Sequence, residues 1–244
     1  MGLLGMILAA VLVAILLAFI IVKFLPLKLR WIASILLLAL TAFLVSKIYY
    51  GIMEPIIFNK TKVVKYSKVV DKLKIIRDAE VKHFEVTGTY TKDKNALLQF
   101  IDTARLALTE TKTVVEKEDR GGGIIIDVEK KKVDTIGYEP VSKYFKGKNY
   151  KEMFKVPGVE GKEFDIEVGT VEKVPGMVVP TFYVKTDKKD ILKGMNESLL
   201  KQELEQVATD QIKGEFVSVG SLDEVSTGGN WPPAYDKKDR DQEE

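Results

Sequence analysis

Two runs without a charge, residues 3–22 and 31–46, fill most of the first fifty residues. That segment contains Lys23, Lys28, Arg30 and Lys47 but no Asp or Glu. A helix rises about 1.5 Å per residue, so the first run reaches across the ~30 Å hydrocarbon core of a bilayer. The second reaches about 24 Å and completes a crossing if Arg30 and Lys47 extend their charged ends outward. Trp31 stands at one end of it and Tyr49 and Tyr50 at the other, residue types that settle in the headgroup region. A soluble core helix of such length usually carries charge on its outer side. A cleaved signal peptide carries positive residues before a shorter apolar run, whereas no charged side chain precedes Lys23. The expectation is a transmembrane hairpin over residues 1–52.

Two crossings put both termini on one side. The loop 23–30 holds three positive charges, which favours a cytoplasmic loop and an extracytoplasmic C-terminal region. Lys47, Lys60, Lys62 and Lys65 lie beside the second span and pull the other way.

The chain has 37 basic and 35 acidic side chains; four basic and no acidic ones fall in the first fifty residues, leaving 33 against 35. The soluble part is thus near neutral, and nucleic-acid binding, which wants a basic face, gains no support. Roughly 190 residues suffice for one sizeable domain or two small ones. Cysteine is absent, which removes disulfides, thiolate metal sites and cysteine nucleophiles.

After Glu54-Pro55, where proline suits a helix start or bend, residues 63–86 space Tyr66, Val69, Val70, Leu73, Ile76, Ala79 and Phe84 in steps of three and four. That is one apolar stripe. The opposite face is read as charged, from Lys65 through Asp71, Arg77 and Glu80 to Lys82, and Gly88 closes the helix. Such a stalk helix can run nearly end to end with the membrane helix. Asp93 caps a second helix, from 95 to about 105. Strands follow at 111–118 and 124–127, separated by Arg120-Gly121-Gly122-Gly123, then at 164–173 and 177–186 around the turn signal Val174-Pro175-Gly176. A helix at 196–209 and a strand at 215–220 complete the domain. Residues 236–244, charged and without an apolar side chain, read as a disordered tail.

No constellation reaches an active site. His83 is the sole histidine, too little for zinc or for acid–base work without partners, and reads as part of a solvated helix face. The Arg120–Gly123 stretch lacks the Lys-Ser or Lys-Thr of a phosphate loop and reads as a hairpin turn. Trp231, after Gly228-Gly229-Asn230, is either a partner-binding anchor or a side chain tucked into the domain. Asn59 and Asn196 open glycosylation sequons, which arise readily by chance. Asp187 with Asp190, and Asp223 with Glu224, are pairs that solvated loops hold anyway. The expected catalytic, cofactor and metal sets are empty.

Leu73-Lys74-Ile75-Ile76-Arg77-Asp78-Ala79-Glu80, then Phe84 and Gly88-Thr89-Tyr90-Thr91, resembles the helix-and-turn segment of pilins and pseudopilins. The chain departs from them in its two apolar runs and in lacking a prepilin-peptidase site, so the likeness implies only stalk-and-turn geometry. A broader set, including Gly161-Lys162-Glu163-Phe164, Val179-Pro180, Val219-Gly220-Ser221-Leu222 and Gly229-Asn230-Trp231, resembles a family of uncharacterised Bacteroidota membrane proteins. That resemblance implies a bacterial envelope location and no chemistry.

The expected fold is α+β: a two-helix transmembrane hairpin (1–52), then an extracytoplasmic domain (53–235) that begins with a stalk helix (63–86) and contains antiparallel strands, then the tail (236–244). Expected partners are the lipid bilayer and either further copies of the chain or subunits of an inner-membrane complex, with no nucleic acid. The expected role is a non-catalytic envelope component; a ligand-binding or sensory module and an enzyme of unfamiliar chemistry are the alternatives.

Overall fold

The computed structural model describes residues 12–16, 18–20, 23, 26–119, 125–205 and 211–235. Most of the first apolar run, the Arg120–Gly123 connection and the 236–244 tail lie outside the described residues. Positions 12–16 and 18–20 are helical. Among the described residues, one helix is long and apolar enough to cross a membrane, starting at Arg30 and running to Thr87. It is the body of α1, Leu27–Thr87, 61 residues with Pro55 inside. The expected membrane helix and stalk are therefore one element, and Pro55 neither starts nor ends it. A proline in a helix interior removes one hydrogen bond and costs about 3 kcal/mol; α1 nevertheless continues through Pro55.

The chain divides into two compact units between Asn59 and Lys60. The first is apolar and exposed: Leu36, Leu38, Phe43 and Val45 all present their side chains outward. A water-soluble surface would not show such a contiguous apolar belt.

In the second unit, the apolar stripe of α1 is covered. Tyr66, Val69, Val70, Leu73, Ile76 and Ala79 are essentially inaccessible, each large aliphatic side chain contributing roughly 1.5–3 kcal/mol on burial. One charge is not where the pattern put it. Glu80 is fully buried rather than on the charged face, because it falls four residues after Ile76 and continues the same stripe.

Helix α2, Lys94–Thr103, starts where expected: the Asp93 carboxylate accepts from the N–H groups of Asn95 and Ala96 at 2.9 and 3.2 Å. Strands β1, Arg105–Asp119, and β2, Ile125–Pro140, form an antiparallel two-stranded ribbon from Arg105↔Pro140 to Asp119↔Ile125. The register slips between Leu108 and Thr109, where Ile136 of β2 is the extra residue. Both strands are much longer than the expected 111–118 and 124–127. A second sheet has the order β3-β4-β5, all antiparallel, with β3 Asp165–Val174, β4 Met177–Asp187 and β5 Phe216–Gly220. Gly176 turns β3 into β4 with φ 84°. Short helices α3, Lys188–Ile191, and α4, Glu197–Glu205, stand between β4 and β5.

The core joins the α1 stripe to Leu97, Ile101, Phe145, Phe164, Phe182, Val184, Val217 and Val219. Tyr90 links helix to sheet: it stacks on Phe84 with centroids 4.8 Å apart and tilts on Phe182 at 4.7 Å. Gly220 meets Phe182 so closely that a Cβ would stand 2.2 Å from the Phe182 carbonyl oxygen.

Candidate functional site

Three features of the second unit depart from what a plain folded scaffold requires. The first is a buried ionic cluster. Lys62 of α1 bonds a carboxylate oxygen of Glu203 of α4 at 2.7 Å. Lys188 of α3, wholly buried, lies 4.0 Å from the other carboxylate oxygen and donates to the Ile212 carbonyl at 2.5 Å. The Tyr66 hydroxyl shares this space. Burial foremost, then the Glu203 charge, pushes its pKa far up, so it stays protonated. Burial also drives the Lys188 pKa down; Glu203 opposes this and Lys62 adds to it. Two cations thus share one carboxylate, and loss of the Lys188 proton would bring the cluster to neutrality. Chemically this resembles a general-base pair, but a closed one: its side chains tie α1, α3 and α4 together.

The second is Glu80. One carboxylate oxygen accepts from the Thr91 N–H at 3.1 Å and so holds the chain between α1 and α2. The other is buried without a hydrogen-bond partner. Burial pushes the carboxyl up to about 7, against a smaller lowering by the Thr91 bond. Tyr90 is raised too, by burial and then by the Glu80 charge.

The third is the ribbon. None of its residues with described side chains is buried on either face. Val115, Val133, Ile136 and Tyr138 are more than half exposed. A two-stranded hairpin alone is marginally stable in water; a third strand or a packed face is normally needed. Two like-charged pairs stand directly across it, Glu110 opposite Asp134 and Lys112 opposite Lys132, an unfavourable cross-strand arrangement that is offset along each strand by Lys112 with Glu110 at 3.2 Å and Lys132 with Asp134 at 3.9 Å.

A groove of about 1230 Å³ also runs along α1, lined among others by Lys68, Asp71, Lys72, Lys74, Arg77 and Lys148. Several of its cations are engaged: Lys74 donates to the Tyr235 carbonyl at 2.7 Å, and Lys148 pairs with Asp78 at 2.9 Å.

The residues singled out in the sequence are scattered. The His83 ring is half-buried against Phe100, centroids 4.9 Å apart, and its Nδ1 lies 2.7 Å from the Thr89 carbonyl oxygen. It clasps the end of α1 instead of lying on a solvated face. The strands flanking Arg120–Gly123 pair antiparallel, while that connection lies outside the described residues. Trp231 is buried. Its neighbour Asn230 accepts from the Ser218 N–H at 3.0 Å and donates to the Lys213 and Phe216 carbonyls, fastening the loop to β5. Asn196 caps α4 through the Leu199 N–H at 3.1 Å, and Asn59 is exposed. Asp187 caps α3 and Asp190 pairs with Lys162 at 2.9 Å. Asp223 and Glu224 donate their backbone N–H groups to Ser221 Oγ in an exposed turn. Among the described residues, no group of His, Asp or Glu is placed to hold a metal ion. No protein family, curated protein or solved structure matches the chain.

Proposed function

We propose that the chain is a non-catalytic component of a bacterial inner membrane that works by assembling with other proteins there. Two apolar segments anchor it as a hairpin with a cytoplasmic loop, and the domain after them is periplasmic. The charge-free runs at 3–22 and 31–46, and the cations of 23–30, support the anchor and its orientation.

The ribbon carries the assembly reading. Fifteen register pairs of β-structure without one fully buried side chain among those described draw little stability from the chain's own core. An open edge of that length is a template for further strands. The ionic cluster supports the non-catalytic part, since Lys188 and Glu203 are both inaccessible to a substrate in solution. The cation-rich groove along α1 favours a second reading, an extracytoplasmic module for an anionic ligand.

Replacing residues 107–138 by a short Asn-Gly turn tests the first reading. The shortened protein is expected to accumulate in the membrane and keep its core, yet to lose every complex trapped by amine crosslinking of intact membranes. Retention of those complexes would refute the assembly role of the ribbon.

A further inference from the structure

We propose that the free edge of β1 is a self-pairing surface, on which a second copy of the chain lays its own β1 antiparallel about a two-fold axis at Thr111. This rests on the assembly reading and names its partner. The two edges of the ribbon are not equivalent. The β2 edge carries Lys130-Lys131-Lys132 and the bulged Ile136, and lysine runs and bulges are the devices by which edges resist pairing. The β1 edge has neither, since the extra residue at the register slip belongs to β2.

A two-fold axis at Thr111 makes β1 complementary to itself. Glu110 of each copy then faces Lys112 of the other, twice over, and Thr109 faces Thr113. Leu108 faces Val114, both partly exposed in the single chain. Opposite charges, paired threonines and paired aliphatic residues are the favourable cross-strand combinations, and the same patch on both copies is what an isologous contact needs. The pairing ends near Val115, because Lys117 would next meet Arg105. It also accounts for the like-charged pairs inside the ribbon. Within one chain Lys112 opposes Lys132 and Glu110 opposes Asp134, and opposite charges meet only along each strand, Lys112 with Glu110 at 3.2 Å and Lys132 with Asp134 at 3.9 Å; a second β1 adds a directly opposed partner of opposite sign to each of these β1 charges.

The chain has no cysteine of its own, so single cysteines report the register in the full-length protein in membranes. Directly opposed residues of antiparallel strands have Cα atoms about 4.5–5.5 Å apart, inside the disulfide range of about 4.4–6.8 Å. Thr111→Cys should therefore give a disulfide dimer under mild oxidation. Thr113→Cys should not, because its copies lie four residues out of line, about 14 Å. Adding Lys112→Glu to Thr111→Cys should cut the dimer about tenfold; within the ribbon it exchanges the Lys112–Lys132 opposition for an opposite-charge pair and gives up the exposed Lys112–Glu110 pair. Adding Glu110→Lys as well should restore the dimer.

Absence of a Thr111→Cys dimer, equal yields at positions 111 and 113, or indifference to the charge reversal would each overturn the proposal. If the Thr111→Cys dimer is absent while ribbon excision still abolishes crosslinked complexes, the assembly reading stands and self-pairing falls.

Discussion

Glu80→Gln isolates the energetic cost of a carboxylate placed on the apolar stripe of α1. The parent side chain is wholly buried, with one oxygen bonded to the Thr91 N–H and the other unpartnered. Its pKa rises from 4.5 to about 7. A carboxyl raised in this way holds its proton longer in the folded than in the unfolded chain. Its contribution is fully present below about pH 4.5, declines as pH rises, and is lost above about pH 7. At about 1.4 kcal/mol per pH unit, the loss is on the order of 3 kcal/mol. Glutamine keeps a carbonyl for the Thr91 N–H and does not titrate. The stability difference between variant and parent should therefore move by about 3 kcal/mol in favour of the variant from pH 4.5 to pH 8. Urea unfolding in detergent micelles reads this through Trp231, with Trp31→Phe in both proteins to remove the other tryptophan. Parallel pH profiles would show that Glu80 keeps an ordinary pKa, and the burial argument would fail.

Glu203→Gln leaves Lys62 and Lys188 in the core without their carboxylate, and should cost about 3–5 kcal/mol in the same unfolding assay; an unchanged midpoint would mean that the cluster is not paired. Gly220→Ala should destabilise far more than Gly176→Ala: both glycines have φ above 80° or near it, but only at 220 does the new Cβ strike a backbone oxygen, while 176 is open. Equal melting temperatures for the two variants would contradict the close approach of β5 to Phe182. For orientation, single cysteines at Leu27 and Asn149 should behave oppositely in intact cells, with an impermeant thiol reagent modifying position 149 and sparing 27; the reverse would place the domain in the cytoplasm.

Local signals in the sequence were informative where the physics is local. The Asp93 cap, the 174–176 turn and the alternation of β3 all arise from neighbouring residues, and each element lies within a few residues of its expected place. Glu80 and Lys62 were legible in principle. Both continue the alternating steps of four and three through Tyr66, Val69, Leu73 and Ile76, and a charge on that seam is a buried charge. Their partners were not legible. Glu203 follows Leu199 and Leu200 by four and three residues on α4, so its face was legible as well, but Lys62 and Glu203 are 141 residues apart and nothing local pairs them. The ribbon was visible only in part, because its charged, two-sided exposure erases the alternation that marks a half-buried strand. Pro55 suggested a boundary because proline disfavours a helix interior, yet the helix runs through it.

Pairing at the β1 edge is read most directly at its own amides. Hydrogen exchange in native membranes, followed for the alternate β1 amides of 109–115 that point away from β2, reads directly whether another strand covers them. Strong protection is expected in membranes, and its loss in the Lys112→Glu variant. Exchange in membranes as fast as in that variant would mean that the edge lies open to water, and that the ribbon joins nothing.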